Sequence, residues 1–135
     1  MPWLLDTNTC IYIIKQKPVS VFQKFSTIAP GQIALSVITL AELEYGARKS
    51  ASIEKNLSAL HQFSVPFDIL TFDERAVIEY GIIRANLEAK GTPIGPLDML
   101  IAAHAKSINY TLVTNNEKEF KRVNGLQIEN WVTHP

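Results

Sequence analysis

A single cysteine in 135 residues, no surplus of either charge and no long apolar run are the shortages of this chain, and each removes a class of protein. Cys10 has no partner for an internal disulfide, so the fold must be held by its core rather than by the cross-links of small secreted domains. Its neighbours Ile11, Ile13 and Ile14 make it an expected core residue. Thirteen Lys and Arg stand against thirteen Asp and Glu, a formal net charge of zero, which argues against a basic coat protein that neutralises phosphate over its whole surface. Any polyanion has to meet a local patch. Charge interrupts every apolar stretch well before the roughly 20 residues of a membrane-spanning helix. The opening Met1-Pro2-Trp3-Leu4-Leu5-Asp6 also lacks the basic start and long apolar centre of an export signal. The expectation is a cytoplasmic protein with no membrane segment. With 6 Gly, 7 Pro, 47% hydrophobic and 19% charged residues, the composition excludes collagen-like and disordered classes. What is left is one globular domain over residues 1–135, close to the commonest domain length.

Short apolar runs alternate with helical periodicity along the chain. Trp3-Leu4-Leu5 reads as a buried strand that stops at Asp6-Thr7-Asn8, polar residues suited to cap a helix. A helix from Cys10 to Gln16 is expected to end before Pro18, and a second from Val19 to Ile28 to close at Pro30-Gly31. Gln32 to Ser36 reads as a strand, and Val37 to Lys49 and Ser52 to Phe63 as helices, the latter with Leu57, Leu60 and Phe63 on one stripe. Phe67 to Leu70 is a third strand candidate. A long helix follows from Asp73, marked by Val77, Ile78, Gly81, Ile82, Ala85 and Leu87, and stops at Lys90-Gly91. After a loop from Thr92 to Gly95, Pro96 opens a helix to Asn109, because proline loses nothing at a first helical position. Strands at Thr111 to Val113 and Leu126 to Ile128 flank a helical turn from Glu117 to Phe120. Strands separated by helices imply an α/β fold of three layers, α/β/α, around a mainly parallel sheet of four or five strands.

Ligands of such sheets bind outside the carboxyl ends of the strands. Asp6 ends the first strand, Ser36 leads into the helix carrying Glu42, and Thr114-Asn115-Asn116 ends the fourth strand. Each residue also has a plain structural reading. Asp6 suits a helix cap, and Asp98, in the first turn after Pro96, complements the helix dipole whatever else it does. Glu44 stands four residues before Arg48 and is explained by an exposed ion pair. Glu42 is different, since its helix neighbours Ile38, Thr39, Tyr45 and Gly46 are apolar or small, and Asp98 precedes the almost wholly apolar Met99-Leu100-Ile101-Ala102-Ala103. Three carboxylates on one rim raise one another's pKa unless a cation lies between them. Oxygen donors without a Cys or His cluster select Mg²⁺, or Mn²⁺ in its place, over zinc; His61, His104 and His134 lack zinc-ligand spacing and read as structural or surface residues. The constellation resembles that of a metal-assisted phosphodiester hydrolase.

Leu5-Asp6-Thr7-Asn8, Ala41-Glu42-Leu43, Ile94-Gly95-Pro96-Leu97-Asp98-Met99-Leu100-Ile101-Ala102-Ala103-His104-Ala105 and Val113-Thr114-Asn115-Asn116 occur in that order. Together they resemble the PIN-domain ribonuclease toxins of the VapC type, over essentially the whole chain. Thr7-Asn8-Thr9-Cys10-Ile11 and Asn115-Asn116-Glu117-Lys118-Glu119-Phe120 are similar to the branch that cuts initiator tRNA in its anticodon loop. The resemblance implies a metal-dependent endoribonuclease that inhibits translation, with Asp6, Glu42 and Asp98 as its metal-binding acids. It also implies a homodimer and a VapB-type antitoxin seated near those acids. The chain departs from the pattern at the fourth acid, where many PIN domains have Asp and this one has Asn116; Glu119, three residues on, is the other candidate. Asn8 and Thr114 are expected either to support the acids or the phosphate, or to serve as ordinary turn and cap residues. Arg84, Lys118, Lys121 and Arg122 are candidates for RNA phosphate contact, with solvated charge as the alternative.

Two other functions fit parts of the pattern. An aspartyl-phosphate phosphohydrolase also begins with a strand ending in Asp, but the second acid of its Asp-x-Asp pattern is here Asn8. A non-catalytic RNA- or protein-binding module would keep the fold without the reaction. If Asp6, Glu42, Asp98 and Glu119 share one site, nine acids are left against thirteen bases elsewhere, so a zero total is the sum of an acidic pocket and a mildly basic surround.

Overall fold

The computed structural model describes residues 2–133; His134 lies outside the described residues. The order of elements is β1 (Trp3–Leu5), α1 (Thr7–Lys15), α2 (Val19–Ser26), a 3₁₀ turn (Pro30–Gln32), β2 (Ile33–Ser36), α3 (Val37–Arg48), α4 (Ile53–Ser64), β3 (Asp68–Leu70), α5 (Glu74–Ala89), α6 (Pro96–Ser107), β4 (Thr111–Val113), α7 (Glu117–Phe120) and β5 (Ile128–Glu129). The five strands form one sheet in the order β3-β2-β1-β4-β5, with every neighbouring pair parallel. No helix among the described residues is long and apolar enough to cross a membrane.

Strand periodicity builds the three expected layers. Leu4, Ala34 and Leu112 face one side and pack with Ile83 and Leu87 of α5 and Met99, Ile101 and Ala105 of α6. Their neighbours Leu5, Leu35 and Val113 face the other side and pack with Cys10 and Ile13 of α1, Val21 of α2, Leu43 of α3 and Leu60 of α4. Successive side chains of a strand point to opposite faces, so a run such as Leu4-Leu5 supplies both cores at once. Cys10 is buried as expected. The end of α5 shows why its stop signal was readable: Gly91 adopts φ +69°, and the N–H groups of Gly91 and Thr92 return to the carbonyls of Glu88 and Leu87, a glycine-closed helix end.

Several boundaries differ from expectation. Helix α1 begins at Thr7 rather than Cys10, because Asp6 accepts the Thr9 N–H at 2.8 Å and so starts the helix three residues sooner. Helices α2 and α6 each stop two residues early, the latter before Asn109 turns to φ 57°. The last strand is Ile128–Glu129, in register with Leu112 and Val113, instead of Leu126 to Ile128. Glu129 is stabilised there by the indole N–H groups of Trp3 and Trp131, at 2.8 and 3.2 Å from its two carboxylate oxygens. The periodic residues of α5 also divide. Ala76, Ile83 and Leu87 face the core, whereas Val77, Ile78 and Ile82 are 56%, 62% and 55% exposed on an adjoining stripe.

Candidate active site

The sheet order reverses direction between β1 and β4, and this divergence opens the crevice where parallel sheets hold ligands. Its floor is tightly sewn. The Asp6 N–H donates to the Val113 carbonyl at 3.0 Å, the Thr9 hydroxyl donates to the same carbonyl at 3.2 Å, and the Asn116 N–H donates to the Thr114 hydroxyl at 2.9 Å.

Asp6 is both a helix cap and a candidate site carboxylate. It is buried, which pushes its carboxyl up from the ordinary range, while hydrogen bonds from Thr114 and Thr9 pull the other way. Glu42 is half-buried on α3, and the Thr7 hydroxyl donates to its Oε1 at 2.6 Å. Asp98 lies in the first turn of α6. Its carboxyl is pushed up to about 6, first by burial and then by the negative charges of Glu119, Glu42 and Asp6. Asp98 is therefore close enough to Glu119, Glu42 and Asp6 to feel the charge of each. Glu119, on α7, accepts the Asn116 side-chain N–H at 2.9 Å, so Asn116 orients Glu119 while Glu119 is the acid that Asp98 senses.

The remaining candidates occupy varied settings. Thr114 is buried beside Asp6, and Asn8 is exposed on the first turn of α1. Lys118 and Lys121 are exposed on or just beyond α7. The Arg84 guanidinium is engaged by Glu88 at 3.1 Å and Tyr80 at 2.8 Å, and Arg122 donates to the Pro93 carbonyl at 3.0 Å. Glu44 forms its expected exposed pair with Arg48, His61 is exposed and His104 is buried. Thr7, which donates to Glu42, joins the candidate site without having been singled out in the sequence, although a hydroxyl directly after the first acid is the signal for it.

Among the described residues, no three or more His, Cys, Asp or Glu side chains gather closely enough to hold an ion as they stand. The four acids form a converging field rather than a finished coordination shell. Their chemistry nevertheless fits a hard cation: every donor is a carboxylate or amide oxygen, and Asp98 carries the electrostatic cost of three like charges that an ion would offset. Beside the acids run two apolar grooves that share Glu42. One, of about 530 Å³, is lined by Thr7, Ile11, Ile38, Tyr45 and Leu97 among others. The second, of about 300 Å³, lies between Ile11, Ile14, Leu43, Ala47 and Leu60.

The PIN domain family matches residues 3–126, a span that takes in all four acids. The chain belongs to the PIN-domain family. Within that family it stands among the VapC ribonucleases. It is 45% identical over 131 residues to the tRNA(fMet)-specific endonuclease VapC of Shigella flexneri, covering 97% of this chain and 98% of that one. It is 46% identical over 132 residues to ribonuclease VapC2 of Rickettsia felis, with the same coverage. The crystal structure of VapBC2 from Rickettsia felis bound to a DNA fragment from their promoter superposes with a TM-score of 0.91 at 45% identity, over 98% of this chain and 100% of that one. VapBC-1 from nontypeable Haemophilus influenzae gives a TM-score of 0.87 at 36% identity, over 97% of this chain and 98% of that one. The PIN-like three-layer architecture is thereby confirmed, and the aspartyl-phosphate alternative is set aside.

Proposed function

We propose that this chain is a cytoplasmic, Mg²⁺-dependent endoribonuclease toxin that hydrolyses a phosphodiester bond in the anticodon loop of initiator tRNA. The convergence of Glu119, Glu42 and Asp6 on Asp98 at the mouth of the β1–β4 crevice carries this reading. Asp6, Glu42, Asp98 and Glu119 would hold Mg²⁺, or Mn²⁺ in its place, and the ion would supply an activated water and charge neutralisation at the scissile phosphate. The chain's own work is to aim these oxygens. Thr9 and Thr114 hold Asp6, Thr7 holds Glu42, and Asn116 holds Glu119. Lys118 and Lys121, next to Glu119 in sequence, are the exposed cations for RNA phosphate; Arg84 and Arg122 would have to give up their present partners to serve the same end. Asn8, exposed in the first turn of α1, is assigned to the phosphate side of the site.

The relatives and solved neighbours named as VapBC complexes support a VapB-type antitoxin as partner. The two apolar grooves that meet at Glu42 suit an amphipathic segment ending over the acids. For the homodimer, the Val77, Ile78 and Ile82 stripe of α5 is the unpartnered apolar face. Gly81 lies within the same stretch of α5, and a methyl group added to it would meet open space, so nothing inside the chain requires glycine there. Two α5 helices packed antiparallel about Gly81 would bring Arg75 of each near Glu88 of the other.

Asp98→Asn tests the reading. It should remove Mg²⁺-dependent cleavage of an initiator tRNA transcript and leave the circular dichroism spectrum unchanged. A folded variant that still cleaves would overturn the assignment, and a wild-type chain that binds the tRNA without cutting it would favour the non-catalytic module.

A further inference from the structure

His104 is buried on α6, titratable, and not used by the site described above. Its Nδ1 lies 2.7 Å from the hydroxyl of Ser36, 68 residues away in sequence. Ser36 is also the cap of α3, accepting the Ile38 N–H at 3.0 Å. The ring stands edge-on to Phe72, with centroids 5.6 Å apart. Because Ser36 Oγ already accepts the Ile38 N–H, its own hydrogen is the one left for the ring, with Nδ1 as acceptor in the neutral tautomer protonated at Nε2. The hydroxyl thus ties α3 on one side to α6 on the other.

The spacing gives this contact its consequence. Ser36 precedes Glu42 by six residues, and His104 follows Asp98 by six residues. At 1.5 Å of rise per residue, each carboxylate stands about 9 Å along its helix from the shared hydrogen bond. Helix α3 leaves the contact toward Glu42 while α6 arrives at it from Asp98, and the two helices pack against each other. A buried link at the base of two rigid rods sets how far apart their upper ends stand, because packed helices move as units.

Resting on the metal-dependent reading above, we infer that the Ser36–His104 hydrogen bond is a brace fixing the gap between Glu42 and Asp98, which makes His104 a positioning residue for metal binding. It touches neither substrate nor ion. Its effect is to save the acids the reorganisation needed to close on a cation, the role that outer hydrogen bonds play in metal sites generally.

The experiment uses the full chain and Mn²⁺ alone as probe, read by calorimetry, beside steady-state cleavage and urea unfolding. His104→Phe keeps the ring volume and the packing on Phe72 but removes the acceptor. His104→Asn places a side-chain oxygen where it can accept from Ser36. The expected result is a Mn²⁺ dissociation constant about tenfold higher in His104→Phe, the low end of what losing an outer support costs a metal site. A matching fall in kcat, unchanged KM, and recovery of both in His104→Asn should accompany it. If His104→Phe does not fold, Ser36→Ala carries the test, and the same loss is expected of it; the double variant, where it folds, should lose no more than either single one. A folded His104→Phe or Ser36→Ala that binds Mn²⁺ as wild type does sinks the brace alone. A folded His104→Asn no better than His104→Phe also sinks it, since size rather than hydrogen bonding would then matter. A wild-type chain indifferent to Mn²⁺ sinks the metal reading, and the brace with it.

Discussion

Asp6 and Asp98 both stand at helix starts on the same rim of the sheet and burial pushes both carboxyls up, yet only one of them is met by hydrogen bonds. Asp6 is more deeply buried, but it caps α1 through the Thr9 N–H and receives Thr114, so hydrogen bonds oppose the cost of burying its charge. Asp98 sits on a helix whose cap position is Gly95, with no side-chain cap, and its carboxyl is pushed up to about 6, first by burial and then by the charges of Glu119, Glu42 and Asp6. The difference separates two ways in which a carboxylate enters a site. One is tied down by hydrogen bonds from the fold; the other, favoured by the helix dipole alone, gains most from a cation that offsets its burial and its acidic neighbours.

The sharpest way to break this contrast is to supply the positive charge. Mg²⁺ at a hundred times its dissociation constant should raise unfolding stability by about 2.7 kcal/mol, the mass-action value for a ligand that binds the native state alone. The same addition to Asp98→Asn should do nothing. Urea unfolding with and without the ion checks both, and an equal gain in the variant would show that the ion binds elsewhere.

A smaller effect probes the fold-held acid. Asp6→Ala loses the cap of α1 and should destabilise by about 1 to 2 kcal/mol, while Asp6→Asn keeps an oxygen for the Thr9 N–H and should stay close to wild type. Both should lose cleavage. Equal stability of the two variants in urea would mean that the cap contributes nothing and that Asp6 is held by the sheet alone.

This double duty explains what the sequence could and could not convey. Capping and ligation were competing readings of Asp6, and the structure shows capping at a position that still looks into the crevice. Most of the fold was legible because its signals are local: Pro96 starting α6, Gly91 closing α5, alternation within Leu4-Leu5. The last strand was misplaced because Glu129 looks wrong for a sheet until two indole N–H groups from Trp3 and Trp131 converge on it. The Ser36–His104 contact was hidden for the same reason, since a hydrogen bond across 68 residues leaves no trace in either neighbourhood. The stripe of Val77, Ile78 and Ile82 shows the converse limit: periodicity announces a helix with an apolar face, but α5 has two such faces and only packing decides which is inside.

The smallest effect expected concerns that hidden histidine and follows from its burial. Desolvation lowers the His104 pKa below the usual 6.5, opposed by the charge of Asp73 and by the Thr71 backbone. A lowered native pKa means that the unfolded chain binds the proton more readily, so stability is fully present above 6.5 and is lost as pH falls from there toward the native value. Wild-type protein should therefore unfold at lower urea at pH 5 than at pH 7. Other groups titrate in the same window, Asp98 in the opposite sense, so the meaningful quantity is the difference from His104→Phe, whose ring does not titrate. Comparing the two proteins at both pH values isolates the imidazole: the wild type should lose more stability on acidification than the variant, and an identical pH response would mean that protonation of this buried ring costs the fold nothing.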